Sequence, residues 1–279
     1  MSTTTATAPQ ISTVRRTPQS DRLGKYWPPL AFGLAMVVLW WLATALEWVP
    51  EYLVPSPART WQAFAAAPAY FAEHTWITLL ETLLGFAVAV VIGELVAVIM
   101  VYSKPVEQTL YPVVLFAQVI PKIAIAPLFV VWLGFGMTPK VVVAVLMAFF
   151  PVVISGLAGL RSVDPEMLEL ASTMGANKAK VFFKIRFPSS LPQLFSGLKV
   201  AATLAVTGAV VGEFVGANSG LGYVILQANG NIDTATLFVA LIIMSAMGVA
   251  LFALIAVLEK IFVGWHSSFR ESGSTTVQA

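Results

Sequence analysis

Long apolar runs separated by short polar stretches dominate this chain of 279 residues. A run that crosses a bilayer needs about 20 mainly apolar residues, because about 30 Å of hydrocarbon is covered at about 1.5 Å per residue. Runs of that length fall at about residues 30–49, 76–102, 110–135, 141–160, 191–215 and 236–263. They predict about six transmembrane helices and an all-α integral membrane protein. Residues 1–27 are rich in Ser, Thr, Gln and Pro and lack apolar periodicity, which predicts a disordered tail. A second tail is expected over 266–279, leaving 28–265 as the membrane domain. Ala43-Thr44-Ala45 mimics a signal-peptidase site after a basic segment, but the run is long and holds Trp40 and Trp41, so it reads as a retained span.

Between the fourth and fifth runs, residues 161–190 carry Arg161, Lys178, Lys180, Lys184 and Arg186 beside Asp164, Glu166 and Glu169, too much charge for hydrocarbon. Asp164-Pro165-Glu166 supplies an N-cap, a first helical residue and an acidic first turn, and Gly175 stops the helix. Met167, Leu170, Ala171 and Met174 recur at three or four residues, an apolar stripe on a helix too short to stand alone. Asn177 can cap a second short helix through Phe182, Phe183 and Ile185, expected to end at Pro188 where the fifth span begins. Orientation follows from Lys and Arg, which cytoplasmic loops hold in excess. Arg15, Arg16, Arg22, Lys25, Lys104, the five bases of the 161–190 loop, Lys260 and Arg270 fall on one face, and only Arg59 and Lys140 on the other. Both termini and the long loop are therefore expected to be cytoplasmic.

Composition agrees: 58% of residues are hydrophobic, 11% are charged and mean hydropathy is +0.84, against roughly a quarter charged in soluble domains. The net charge of +2 is spread thinly, with no basic patch for nucleic acid. Zero cysteines exclude thiolate chemistry and cysteine-ligated metals, and His74 and His266 read as isolated polar side chains, so no metal site is expected. Intramembrane catalysis finds no support, since no His or Cys lies in an expected span and the carboxylates are not closely spaced. Ionisable residues inside a span are costly and are functional candidates by default; here they are Glu81, Glu94, Lys122 and Glu213. Pro121 and Pro127 interrupt the third span around Lys122, which either faces a translocation path and favours anionic or polar cargo or is a buried partner of Glu94 or Glu213. Glu213 precedes a Gly-rich stretch at 216–230 that reads either as a gate or as a solvated loop held by a local hydrogen bond. Lys199 is expected to snorkel to the headgroups.

The loop motif carries a family resemblance. Glu169-Leu170-Ala171, then Gly175, then after nine residues Ile185-Arg186-Phe187-Pro188, resembles the signature E-A-A-x-x-x-G-x9-I-x-L-P of bacterial ABC-importer permeases, with Leu170 for the second Ala and Phe187 for Leu. Further likeness lies in Leu53-Val54-Pro55-Ser56-Pro57, in Pro121-Lys122-Ile123-Ala124-Ile125-Ala126-Pro127-Leu128, in Trp132-Leu133-Gly134-Phe135-Gly136, and in Gly212-Glu213 followed by Gly220-Leu221-Gly222-Tyr223. These resemble the branch that imports nitrate, sulfonates and taurine and, in some members, pyrimidine or riboflavin-type vitamins and precursors, with a lean toward the nitrate, sulfonate or taurine type. The resemblance implies a type I importer fold and a non-catalytic subunit of the inner membrane. Its coupling helix, with Glu169, Leu170, Ala171, Gly175, Ile185 and Pro188, would dock on an ATPase. No G-x-x-x-x-G-K-[ST] phosphate loop is present, so ATP and magnesium belong on a partner polypeptide. A separate extracytoplasmic binding protein is implied as well. One docking loop per chain points to a permease homodimer, for which Gly208, Gly212 and Gly216, with Gly197, Ala201, Ala205 and Ala209 beside them, offer a small-residue face, unless they pack within one subunit. The competing class is a proton-coupled secondary transporter relaying through Glu81, Glu94 or Glu213; a membrane anchor would not require the charged, proline-broken third span.

Overall fold

The computed structural model describes residues 22–264; the expectations for residues 1–21 and for the tail at 266–279, with His266, lie outside the described residues. All regular structure among the described residues is helical. Residues up to Glu51 form a unit of their own built on α1 (Arg22–Ala45), of which Trp27–Ala45 is long and apolar enough to cross a membrane. The helix starts at Arg22 rather than after Trp27, so part of the expected disordered tail is helical, with Pro28 and Pro29 inside it.

The second unit begins at Tyr52. It contains α2 (Pro57–Ala66), α3 (Pro68–Tyr102), α4 (Lys104–Val119), α5 (Lys122–Leu133), α6 (Met137–Arg161), α7 (Pro165–Thr173), α8 (Lys178–Val181), α9 (Phe187–Phe214), α10 (Leu221–Gly230) and α11 (Thr234–Val263). The expected third span is not one rod. Its halves, α4 and α5, meet at 96°, because Pro121 lacks an N–H and holds Ile120 in an extended conformation at ψ 130°. The fifth span, in contrast, starts earlier than expected. The chain runs from α8 through a π turn at Phe182–Arg186 directly into α9, so the second loop helix does not end at Pro188. In that turn Phe187 N–H reaches back to Phe182 O. The wider turn accommodates a proline that would break a regular helix.

The core is the contact of α6 with α9, flanked by α3. Lipid tails are as apolar as leucine, so these helices gain most by close approach of backbones. A Cβ on Gly208 would lie 2.7 Å from Ala144 Cα, and one on Gly212 would lie 2.7 Å from Lys140 Cα. Gly197 faces Ser155 in the same way, and Ala201, Ala205 and Ala209 are fully buried. The small-residue face of the fifth span is thus consumed within the subunit against α6 and does not form a face toward a second copy. Gly216 lies beyond the helix, at φ +95° against Phe135.

Gly208→Leu would force α6 and α9 apart. Overpacking of this kind costs about 1–3 kcal/mol, and a lower melting temperature of the purified protein is expected, whereas Gly248→Ala, with nothing within 4 Å of the added carbon, should leave it unchanged.

Candidate functional site

Two constellations stand at opposite ends of the α6–α9 pair. At the first, Asp164 caps α7 by accepting from Glu166 N (3.0 Å) and Asn177 caps α8 by accepting from Lys180 N (2.8 Å), as the sequence predicts. Gly175 joins the two helices at φ +70°, a conformation that side chains with a Cβ rarely adopt. Ala171 is buried, while Met167, Leu170 and Met174 stand 50, 60 and 78% exposed, so the stripe of α7 is presented outward. The loop is fastened from beneath. Arg186 donates to Leu160 O at the end of α6 (2.9 Å) and lies 5.9 Å from the Tyr102 ring of α3, whose hydroxyl donates to Lys178 O (3.4 Å). Arg161 pairs with Glu107 of α4. The stretch predicted as Gly-rich loop at 216–230 is in large part α10, and the second constellation forms around its start.

There the first N–H groups of α10, which have no partner within their own helix, are taken up by side chains from elsewhere. Gly220 N donates to His74 Nδ1 (2.9 Å), Leu221 N to Thr78 Oγ1 (2.8 Å) and Gly222 N to Glu213 Oε2 (2.5 Å). Thr78 in turn donates to Glu213 Oε1 (2.7 Å). Glu213 is fully buried, and its carboxylate sits where a helix N-terminus favours negative charge. Beside it Lys140 donates to Glu81 Oε1 (2.8 Å) and to Ser219 O (3.3 Å), with both partners of the ion pair buried. A cleft of about 290 Å³ bordered by Glu81, Lys140, Phe135 and Ser219 opens against the pair.

Several expectations change. Lys140 is not a loop charge but a buried one in the first turn of α6. His74 is not isolated, since it lies in α3 and holds α10. Glu213 is bonded locally. Lys122 pairs with neither Glu94 nor Glu213: its Nζ donates to Gln118 O (2.9 Å) and sits 4.8 Å from the Phe150 ring centroid. The bend frees the Gln118 carbonyl, and the side chain four residues on replaces the missing backbone donor. Glu94 packs its carboxylate on Gly156, with neither oxygen hydrogen-bonded among the described residues. Lys199 does not snorkel; it pairs with Glu259 of α11 at 2.8 Å. No cluster of metal-ligating side chains occurs among the described residues.

Residues 85–263 match the family described as binding-protein-dependent transport system inner membrane component. The chain belongs to this family of ABC-importer permeases. The permease is 37% identical to the formylaminopyrimidine transport permease protein ThiX of Halalkalibacterium halodurans over 85% of its own length and 95% of that protein's. It is 36% identical to the riboflavin transport system permease protein RibX of Chloroflexus aurantiacus over 92% and 98% of the two chains. It is 27% identical to the taurine transport system permease protein TauC of Escherichia coli over 88% and 95%. Its fold is similar to a chain in inward-facing structures of the MetNI methionine ABC transporter, with a TM-score of 0.59 and 21% identity over 67% of this chain and 93% of that one. Nothing in these relatives supports a proton-coupled secondary transporter, and the permease is an inner membrane component of a binding-protein-dependent transport system.

Sequence reasoning singled out Glu81 and Glu213 but missed their partners Lys140 and Thr78, and missed His74, which accepts from Gly220 N beside them. The only local signal was the spacing of His74, Thr78 and Glu81 at four and three residues on one helical face. Lys140→Met in the permease would strand Glu81. Loss of one partner of a buried pair costs about 3–5 kcal/mol, so a large fall in melting temperature is expected, with partial recovery in the Glu81→Leu/Lys140→Met double variant.

Proposed function

We propose that this chain forms the translocation pathway of an ATP-driven importer, as one of two identical copies, with both termini and α7–α8 in the cytoplasm. The observation that carries the reading is the apolar stripe of Met167, Leu170 and Met174, exposed on a short, capped helix outside the spans and braced on α3 and α6 through Arg186. Such a patch has nothing to cover it in water and needs a protein groove. Glu169, Leu170, Ala171, Gly175, Ile185 and Pro188 make the docking element for a cytoplasmic ATPase, which holds ATP and magnesium. The far end, with α10 held by Glu213, Thr78 and His74, receives cargo from an extracytoplasmic binding protein.

For the cargo we propose an uncharged nitrogen heterocycle of the pyrimidine or riboflavin-precursor kind rather than nitrate, a sulfonate or taurine. Two relatives named for such cargo share 37% and 36% of residues with this chain, against 27% for the relative named for taurine. Lys122, with Pro121 and Pro127, then shapes the wall of the path by fixing the 96° bend, and Glu94 is a further candidate for that wall.

Co-purification of the tagged permease with the ATPase encoded beside it tests the assignment. Wild type should retain a stoichiometric ATPase, and Glu169→Lys or Gly175→Pro should abolish binding or the stimulated hydrolysis; no association of the wild type would overturn the importer reading. Lys122→Met addresses the cargo. Uptake of an aminopyrimidine by the reconstituted complex should persist, since the side chain's partners are Gln118 O and Phe150, whereas selective loss of taurine uptake at normal expression would instead assign Lys122 to anion recognition.

A further inference from the structure

Where the long helices of the second unit expose side chains along their membrane-crossing lengths, those side chains are apolar almost throughout. On α3 they include Leu84, Val88, Val91, Leu95 and Ile99, and on α11 Val249, Phe252, Val257 and Ile261. The helix α9 breaks this rule. Most of its surface is buried, and between Pro188 and Val211 the exposed positions are Gln193, Ser196, Val200, Thr203 and Thr207. Their spacing of three, four, three and four residues places them on one stripe. Four of the five are polar and uncharged. Hydrocarbon gains nothing from such a face, whereas an aqueous path does.

A second observation places a site on the stripe. Thr203 and Thr207, midway along α9, border a cleft of about 350 Å³ shared with Ser245 and Gly248 of α11 and with Phe214. The three hydroxyls are already oriented. Thr203 donates to Val200 O (2.8 Å), Thr207 to Thr203 O (3.2 Å) and Ser245 to Leu241 O (2.8 Å). With its proton committed to the helix, each oxygen retains a lone pair and can act toward a ligand as an acceptor. The nearest ionisable group along α9, Lys199, is committed to its ion pair with Glu259. A largely apolar cleft whose side-chain polar atoms are three hydroxyl oxygens, with no cation in its lining, leaves an anion without a partner and suits a flat apolar body carrying a few N–H donors.

We propose that the Gln193–Ser196–Thr203–Thr207 stripe lines the cargo path and that Thr203, Thr207 and Ser245 form a resting site within it, selective for uncharged cargo with N–H donors. This rests on the importer reading and deepens it by assigning the residues that discriminate cargo.

The absence of cysteine from the chain makes the test direct. Thr203→Cys, Thr207→Cys and Ser245→Cys, each in the complete transporter in proteoliposomes, are treated with a cationic methanethiosulfonate, with Val91→Cys on the exposed apolar face of α3 as the control. Charged reagents are excluded from hydrocarbon, so the three cleft cysteines should react about tenfold or more faster than the control. Millimolar 4-amino-2-methylpyrimidine should slow that reaction, and taurine should not. Reaction at the control rate would overturn the path assignment, because the stripe would then face lipid or a second copy. Protection by taurine, or by neither compound, would overturn the proposed selectivity. Because Thr→Cys can perturb packing, Thr203→Ser and Thr207→Ser serve as companions. They retain the acceptor and should preserve aminopyrimidine uptake, while Thr203→Val and Thr207→Val should reduce it; equal uptake in the Ser and Val variants would also overturn the site. Basal hydrolysis and ATPase association report separately on the importer reading, so its failure is distinguishable from failure of this one.

Discussion

The close contact of α6 with α9 is the constraint on which the remaining arrangement depends. In lipid it gains little from the hydrophobic effect and much from dispersion between backbones brought together at glycine. Gly208 and Gly212 let α6 approach until Ala144 and Lys140 touch the α9 backbone. That approach carries Lys140 onto Glu81 of α3 and leaves Glu213, one residue beyond Gly212, facing the start of α10. At the other end of the same pair, a Cβ on Gly159 would meet Ser190 O at 2.8 Å, and Arg186 closes onto Leu160 O. One helix–helix contact therefore sets the geometry of both constellations.

The α7–α8 loop and the α10 cluster are consequently at opposite ends of one closely packed helix pair. The π turn matters here. Had α8 ended at Pro188 with a flexible joint, motion of α7 would be absorbed before reaching α9; instead α8 is continuous with α9 through Phe182–Arg186. On the proposed docking of α7, a push at the loop would be delivered along α9 toward Glu213 and α10, which hangs on three side-chain hydrogen bonds from α3 and α9 rather than on a broad apolar contact alone. Polar bonds of this kind can be exchanged for water when a path opens, at far lower cost than parting the glycine contact of α6 and α9.

The charges in the spans serve structure more than cargo. Glu81 with Lys140, Glu213 with α10, Lys122 with Gln118 O and Lys199 with Glu259 are each neutralised or hydrogen-bonded within the subunit. Default suspicion of intramembrane charge singled out Glu81, Glu94, Lys122 and Glu213; the partners of three of them are braces and caps, while neither oxygen of Glu94 is hydrogen-bonded among the described residues. The polar surface left over is the uncharged stripe of α9, which attracts no attention in a sequence because Ser and Thr are unremarkable in a span.

Hydrophobic run length by itself determined the helical membrane class, because the thickness of hydrocarbon leaves no other option to an α-helical chain. The loop helices were equally legible, since caps at Asp164 and Asn177 and the stop at Gly175 act through bonds spanning only two or three residues. Most of what depends on distant partners was not. The chain bends at Pro121 by an angle that proline alone does not set, the glycines of α9 face α6 rather than a second copy, Lys140 meets Glu81 across 59 residues, Thr78 meets Glu213 across 135 and His74 meets Gly220 across 146. Which face of a helix is buried depends on neighbours that no local periodicity records when the whole surface is apolar, and only the tertiary structure decided it.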